Sequence, residues 1–419
     1  MSSYRTVKGG VTAAKGFRAA GVPAAIKYKG RNDVALIVAD EPCAAAAVFT
    51  TNKVAAAPVL YDRMVLGCEK TSSVRLGSSS SPKIQAILAN SGCANACTGA
   101  EGLKDAELSA LVTAGELGID PKLVLVASTG VIGRRLPMDR LLAGMRLAKR
   151  SLGRSAAHGL AAEQAVMTTD TKPKEAAVTT VIGGRKVTVG GMSKGSGMIE
   201  PNMATMLGFV TTDAAVSPRM LKRALQLAIG KSFNRLVVDG DESTNDSVFL
   251  LASGKAGNPA IERADDDFRR FLEALEAVCV SLARQMAKDG EGATKFVTVT
   301  VKGAKTARDA ERAARAVAKS PLSKTSWFGR DPNWGRVLAA VGYSGAAVAD
   351  TMAEVFYDGE WAFRRGEIAD EKQLERLAAV MRKDEFSVIV DLHLGRHEAS
   401  VYTCDFSLDY VHINADYTT

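Results

Sequence analysis

The chain has 419 residues, of which 47% are hydrophobic and 24% are charged, and its formal net charge is +8. These proportions are close to those of average globular proteins, which excludes a disordered or collagen-like chain. No run of about eighteen apolar residues occurs, so no membrane-spanning helix is predicted. The first residues, MSSYRTVKGG, lack the apolar core of a secretory signal. We therefore expect a cytoplasmic protein with two lobes or one large two-part fold.

The excess of positive charge could reflect attraction to nucleic acids or to acidic metabolites, because net positive charge raises the local concentration of anions. The basic residues are spread along predicted helices, for example over 219–231 and 312–319, and form no clustered stripe. No aromatic-rich RNA-binding signature accompanies them. A solvated surface is the favoured interpretation, and we expect neither nucleic acid nor a membrane as a partner.

Cysteine and histidine spacing argues against a metal site. The six cysteines include no CxxC pair, and reduced thiols are expected in a chain of this length. His393 and His397 stand four residues apart in a segment that predicts a strand, which would place them on one face but too far apart for joint ligation. We therefore expect no bound metal.

Short β-branched runs alternate with longer amphipathic runs, which predicts a layered α/β fold. The first half predicts, in chain order, a strand from Asp33, a strand from Lys83, a helix from Leu103, a strand from Lys122, a helix from Pro137 and a hairpin around Gly183 and Gly184. The second half predicts a helix from Ser217, a helix in FRRFLEALEAVCVSLARQM, a hairpin around Asp358 and Gly359, a helix in KQLERLAAVMRKD, and strands in SVIVDLHLG and ASVYTCDFSL. The terminal YVHINADY alternates polar and apolar residues, which predicts a last strand with one apolar face. The serine-rich stretch 68–83 predicts a surface loop.

The densest patch of unusual chemistry is GGMSKGSGMIEPNMATMLGFVTTDA, which covers residues 190–214. Its glycines permit backbone geometries closed to other residues, and Lys194 places a cation beside exposed amides, so the patch could hold a phosphate or a carboxylate. The spacing matches neither a P-loop nor the dinucleotide fingerprint. A glycine-rich turn that enters a buried strand, MATMLGFV, explains the same residues, and the pattern leaves both interpretations open.

A second patch, ASTGVIGRRLP, begins at Ala127 where a predicted strand ends. Thr129 offers a hydroxyl and Gly130 a flexible backbone amide, and such a pair can donate to one oxygen in an oxyanion hole. An ordinary turn from strand to loop explains the patch equally well. Spacing alone does not choose between these alternatives.

The run KGSGMIEPNMATMLGFVTTDA resembles the signature of the ornithine acetyltransferase family, which includes the bifunctional glutamate N-acetyltransferases. Further matching motifs follow in family order along nearly the whole chain: VFTTNKVAAAPV, NSGCANACTG, ASTGVIG, MTTDT, DGDESTND, DGEGATK, GRDPNWGRVLAAVGYSG and INADYTT. Cys93, Glu242 and the serine-rich insertion after Cys68 depart from the family pattern. None of these departures falls on a residue to which the resemblance assigns chemistry.

The resemblance implies that the chain cuts itself between Ala204 and Thr205 and then uses Thr205 as its nucleophile. It assigns Thr129 and Gly130 to the oxyanion hole. The residues implied to contact the amino-acid substrate are Thr168, Lys194, Thr205, Glu291, Asn414 and Thr419. The implied reaction moves the acetyl group of N-acetylornithine to glutamate, with no cofactor and with acetyl-CoA as a further acetyl donor in bifunctional members.

The family also implies an architecture. It is an α/β sandwich shared with the self-processing aminopeptidases, with an α chain of residues 1–204, a β chain of 205–419 and a heterotetramer of two copies of each. Within this fold the alternative is an amidohydrolase or aminopeptidase, in which water resolves the acyl-enzyme, since fold alone does not fix function.

Overall fold

The computed structural model describes residues 3–27, 29–67, 83–200 and 206–416, and in these ranges the chain forms fifteen strands and eleven α-helices. The strands of the first sheet are β1 (Tyr4–Val7), β2 (Phe17–Val22), β3 (Val34–Phe49), β4 (Lys83–Asn90), β5 (Val124–Ser128), β6 (Glu175–Ile182), β7 (Arg185–Lys194), β8 (Leu207–Thr212) and β9 (Ser247–Ala252). The strands of the second sheet are β10 (Phe296–Ala304), β11 (Glu354–Tyr357), β12 (Glu360–Arg364), β13 (Glu367–Ile368), β14 (Glu385–Asp391) and β15 (His397–Cys404). The helices are α1 (Ala57–Val65), α2 (Gly99–Leu117), α3 (Met138–Arg150), α4 (Ala156–Val166), α5 (Pro218–Lys231), α6 (Asp266–Lys288), α7 (Ala307–Lys319), α8 (Pro321–Phe328), α9 (Trp334–Tyr343), α10 (Glu371–Met381) and α11 (Leu408–Asp416).

The first sheet follows the order β1-β6-β7-β8-β9-β3-β4-β5, with β2 paired to β3 beside this path. The long strand β3 joins the two parts of this sheet, because the first half of β3 pairs with β2 and β4 and the second half pairs with β9. Most neighbours are antiparallel, but β4 and β5 run parallel, as do β8 and β9. The parallel pairs bring strand ends and following loops to a common edge.

Alternation along the central strands shows why this sheet is a middle layer. In β9, Val248 and Leu250 enter the core that packs against α5 and α6, whereas Phe249 and Leu251 enter the core on the opposite face with α4. Successive side chains of a strand point to opposite faces, so a strand that is apolar at every position is buried on both. The prediction of a layered α/β sandwich is therefore confirmed.

The second sheet follows the order β13-β12-β11-β14-β10-β15 and has its own core. Helix α7 packs on it with Ala310, Ala313, Ala314 and Val317, the spacing that lines one face of a helix. Strands from both sides of position 204 belong to the first sheet, so the spatial division does not coincide with the predicted division into two chains. That division stays a prediction.

The strands, helices and hairpins predicted up to Cys404 all occur, but the strand predicted in YVHINADY is wrong, since these residues form α11. The Ser407 hydroxyl accepts hydrogen bonds from the amides of Asp409 and Tyr410 and so caps a helix. Phe406 also stacks on Tyr410 across one turn. These local contacts outweigh the alternating pattern.

His393 is a second correction, because it does not lie on a strand with His397. It follows the end of β14 in a left-handed turn with φ of 51°, and His397 opens the next strand. Among the described residues, no group of three or more His, Cys, Asp or Glu could hold a metal ion.

In the part of the chain that the structure describes, no helix is both long and apolar enough to span a membrane. The serine-rich segment 68–82 lies outside the described residues.

Candidate active site

One cavity of about 120 Å³ unites the predicted site residues that the structure describes. The predicted residues in its wall are Thr129, Gly130, Thr168, Lys194, Glu291 and Asn414. They come from the loop after β5, the loop after α4, the end of β7, the loop after α6, and α11. Ala204, Thr205 and Thr419 lie outside the described residues, whereas Met206, the residue after Thr205, lines the same cavity.

The predicted oxyanion pair lies directly after β5. The Thr129 amide donates to the Asn90 carbonyl at 3.0 Å, which continues the pairing of β5 with β4. Gly130 has a φ of 129°, and a Cβ on it would lie 2.4 Å from the carbonyl carbon of Gly92. Only glycine fits this close approach. No described residue accepts a hydrogen bond from the Gly130 amide, so that donor is available to a bound molecule.

Lys194 is the cation of the cavity, and its Nζ donates to Thr129 Oγ1 at 3.2 Å. It is the last residue of β7 and is 8% exposed. Burial lowers the pKa of Lys194, and the neighbouring Lys174 adds to this effect, while the carboxyl groups of Asp170, Asp246 and Glu291 oppose it. An ammonium has three donors, so Lys194 can contact Thr129 and still bind a carboxylate.

Glu291 is the buried carboxylate on the other side of the cavity. Its amide donates to the Ser196 carbonyl at 2.9 Å, and its Oε2 accepts from Asn414 Nδ2 at 2.9 Å. A Cβ on Gly197 would lie 2.3 Å from Glu291 Cδ, so the glycine-rich patch leaves room for this side chain. The patch is therefore both a turn beside buried strands and part of the cavity wall.

Thr168 reaches the cavity from the loop after α4. Its amide donates to Asp170 Oδ2 at 3.0 Å, and its carbonyl oxygen accepts from Arg31 at 3.4 Å. Both contacts hold the backbone, and no described residue shares a hydrogen bond with the Thr168 hydroxyl. The Thr168 side chain can therefore face a ligand.

Sequence reasoning assigned no role to the cavity residues of the DGDESTND segment. Asn245 Nδ2 donates to the carbonyls of Ala94 and Ser128 at 2.6 and 2.8 Å, which fixes the end of β5. Asp246 is 3% exposed, and burial raises its pKa well above the usual range although Ser243, Lys194 and the Met206 amide favour the ionised form. The match of the DGDESTND segment to the family was the feature of the sequence that could have identified both residues.

Comparisons with known proteins identify the family of the chain. A profile of the ArgJ family matches residues 18–419. The chain is 51% identical to the arginine biosynthesis bifunctional protein ArgJ of Geobacter sulfurreducens, over 97% of this chain and 99% of that protein. It is also 51% identical to the protein of the same name from Symbiobacterium thermophilum, over 98% of this chain and 99% of that protein.

A solved structure described as ornithine acetyltransferase complexed with ornithine, from Mycobacterium tuberculosis, is 41% identical with a TM-score of 0.42, and the match covers 48% of this chain and 100% of that one. The profile match and the two relatives at 51% identity cover nearly the whole sequence. The chain therefore belongs to the ArgJ family of bifunctional arginine-biosynthesis enzymes.

Proposed function

We propose that the chain transfers the acetyl group of N-acetylornithine to glutamate through an acetyl ester on Thr205, after cutting itself between Ala204 and Thr205. The observation that carries the proposal is the cavity shared by Thr129, Gly130, Lys194 and Glu291. It combines two hydrogen-bond donors with a buried cation and a buried carboxylate. Together these groups can bind an amino acid through its charges and stabilise an oxyanion.

The opposite charges suit a zwitterionic substrate. Lys194 pairs with the substrate carboxylate and Glu291 with a substrate ammonium, because each is poorly solvated and gains from a charged partner. Thr168, Asn414 and Thr419 complete the proposed contacts. Donor and acceptor are both amino acids, so one cavity can receive each in turn.

Self-cleavage supplies the base that a threonine nucleophile requires. The Thr205 hydroxyl attacks the Ala204 carbonyl, the peptide bond becomes an ester, and water then releases the Ala204 carboxylate and the Thr205 α-amine. An α-amine has an unperturbed pKa of roughly 7.7 to 8.0, which suits a general base near neutral pH. Nucleophile and base then belong to one residue.

In the transfer, the α-amine takes the proton of the Thr205 hydroxyl as the oxygen bonds to the acetyl carbon. Thr129 and Gly130 donate to the resulting oxyanion. Collapse breaks the amide bond, and the ornithine nitrogen leaves with the proton held by the α-amine. The glutamate amine then attacks the ester by the same steps, which releases N-acetylglutamate and restores Thr205. The kinetics are ping-pong.

Purified protein offered N-acetylornithine and glutamate tests the proposal. We expect ornithine and N-acetylglutamate in equal amounts and parallel lines in double-reciprocal plots. Release of acetate with little N-acetylglutamate would instead identify an amidohydrolase. Acetyl-CoA in place of N-acetylornithine tests the further donor, and native mass spectrometry tests the proposed heterotetramer.

A further inference from the structure

A buried ammonium behind the cavity joins two carboxylates. Lys174 Nζ donates to Asp170 Oδ1 at 2.7 Å and to Asp289 Oδ2 at 2.5 Å. The side chains are 1%, 0% and 5% exposed, respectively. None of the three residues lines the cavity, so none of them is in a position to touch substrate there.

Each carboxylate in turn holds backbone amides of a segment that reaches the cavity. Asp170 accepts from the amide of Thr168 at 3.0 Å and from that of Gly195 at 2.6 Å. Asp289 accepts from the amides of Thr171 and Lys172 at 3.0 and 3.3 Å. Charged acceptors make these hydrogen bonds stronger than neutral ones.

The anchored segments carry three of the proposed substrate contacts. Thr168 is held directly, Lys194 precedes the anchored Gly195, and Glu291 lies two residues after Asp289. Lys174 therefore joins the two carboxylates that anchor these three segments relative to one another. Through this geometry we propose that Lys174 is a positioning residue, which sets the spacing between the cation and the carboxylate that bind the amino-acid moiety.

The three charges stabilise one another in this arrangement. Burial disfavours the Lys174 ammonium, yet Asp170 and Asp289 outweigh burial and raise its pKa. Burial likewise opposes ionisation of Asp170, but Lys174 and Lys194 hold the pKa of that carboxyl well below its usual range. A buried charge that loses its partner is strongly destabilised, so loss of any one of the three charges disfavours the positions of the other two.

The inference rests on the proposed function, because the spacing matters for an amino-acid ligand. Lys174→Met removes the ammonium, and Asp289→Asn removes one carboxylate at constant size and serves if the first variant does not fold. The matched control is Asp213→Asn. Asp213 is also fully buried and accepts from two backbone amides, of Thr188 and Lys15, but Thr188 lies near the start of β7, away from Lys194.

We expect KM for both glutamate and N-acetylornithine to rise about tenfold in Lys174→Met and Asp289→Asn, with kcat within about threefold of wild type. Asp213→Asn should lower thermal stability and leave both KM values unchanged. Folded Asp289→Asn enzyme with wild-type KM values, or an equal rise in Asp213→Asn, would overturn the positioning role while leaving acetyl transfer intact.

If wild-type protein forms no N-acetylglutamate, the proposed function fails on its own. Hydrogen exchange then decides the positioning role in the same variants. Amides around Thr168, Gly195 and Glu291 should all exchange faster in Asp289→Asn and stay protected in Asp213→Asn. Faster exchange near residue 289 alone would contradict the coupling.

Discussion

The Lys194 ammonium donates a hydrogen bond to the Thr129 hydroxyl oxygen at 3.2 Å. A hydroxyl has one donor hydrogen, and an ammonium has donors only, so this contact leaves the Thr129 hydrogen for another acceptor. No described residue accepts it. The pair thus combines a cation with a hydroxyl donor, which are the groups that the proposal assigns to the substrate carboxylate and to the oxyanion.

Replacing Thr129 should therefore affect turnover more than binding. We expect Thr129→Ala to lower kcat about a hundredfold or more and to change KM little, because the lost donor acts on charge that develops in the transition state. Thr129→Ser keeps the hydroxyl and should retain most activity. Steady-state kinetics measure both, and an unchanged kcat in Thr129→Ala would remove Thr129 from the mechanism.

A denaturing gel tests the proposed self-cleavage directly. The 419-residue chain should give fragments of 204 and 215 residues, and the second should begin TMLGF. Thr205→Ala should remain one inactive band, whereas Thr205→Ser, which keeps a hydroxyl, should retain part of both functions. A full-length band with full activity would contradict the proposed self-cleavage.

The C-terminal helix should matter for substrate affinity alone. Asn414→Ala, or deletion of residues 414–419, removes the amide that donates to Glu291 Oε2. We expect a higher KM for both N-acetylornithine and glutamate, with folding and self-cleavage unchanged. His412→Ala, an exposed residue of the same helix, is the control. Normal KM values in the truncated enzyme would show that Asn414 and Thr419 do not belong to the site.

Glu163 should make stability depend on pH. This residue of α4 is fully buried, and neither carboxylate oxygen has a hydrogen-bond partner among the described residues. Burial raises the pKa of Glu163 from 4.5 to about 8. Between these values the folded protein keeps a proton that the unfolded chain has released, so the free energy of unfolding falls as pH rises.

The neutral variant Glu163→Gln removes this titration. Its melting temperature should exceed that of wild type at about pH 8 by more than at about pH 5. Thermal denaturation across this range measures the difference. A gap that stays constant with pH would show that Glu163 does not keep its proton in the folded state.

Local patterns predicted most of the fold, because amphipathic helices such as α6 and alternating strands such as β14 owe their structure to nearby residues. The strand predicted in YVHINADY is wrong because two local contacts, the cap from Ser407 and the stacking of Phe406 on Tyr410, favour a helix there. The family resemblance predicted six residues of the cavity wall. They come from distant parts of the sequence, so no local spacing pattern could have grouped them. The contact from Lys174 to Asp289 spans 115 residues, and no local pattern encodes it.

The strand order of the first sheet constrains what a cut after residue 204 can release. Strands β8 and β9 lie between β7 on one side and β3 on the other, and both outer neighbours come from the first half of the chain. After a cut, the second half would still be hydrogen-bonded to the first half along two strand pairs, β8 with β7 and β9 with β3. The side chains of β8 and β9 would stay buried on both faces of the sheet. The products would migrate as one particle in gel filtration, and the halves, expressed separately, would each lack the neighbours that complete the sheet.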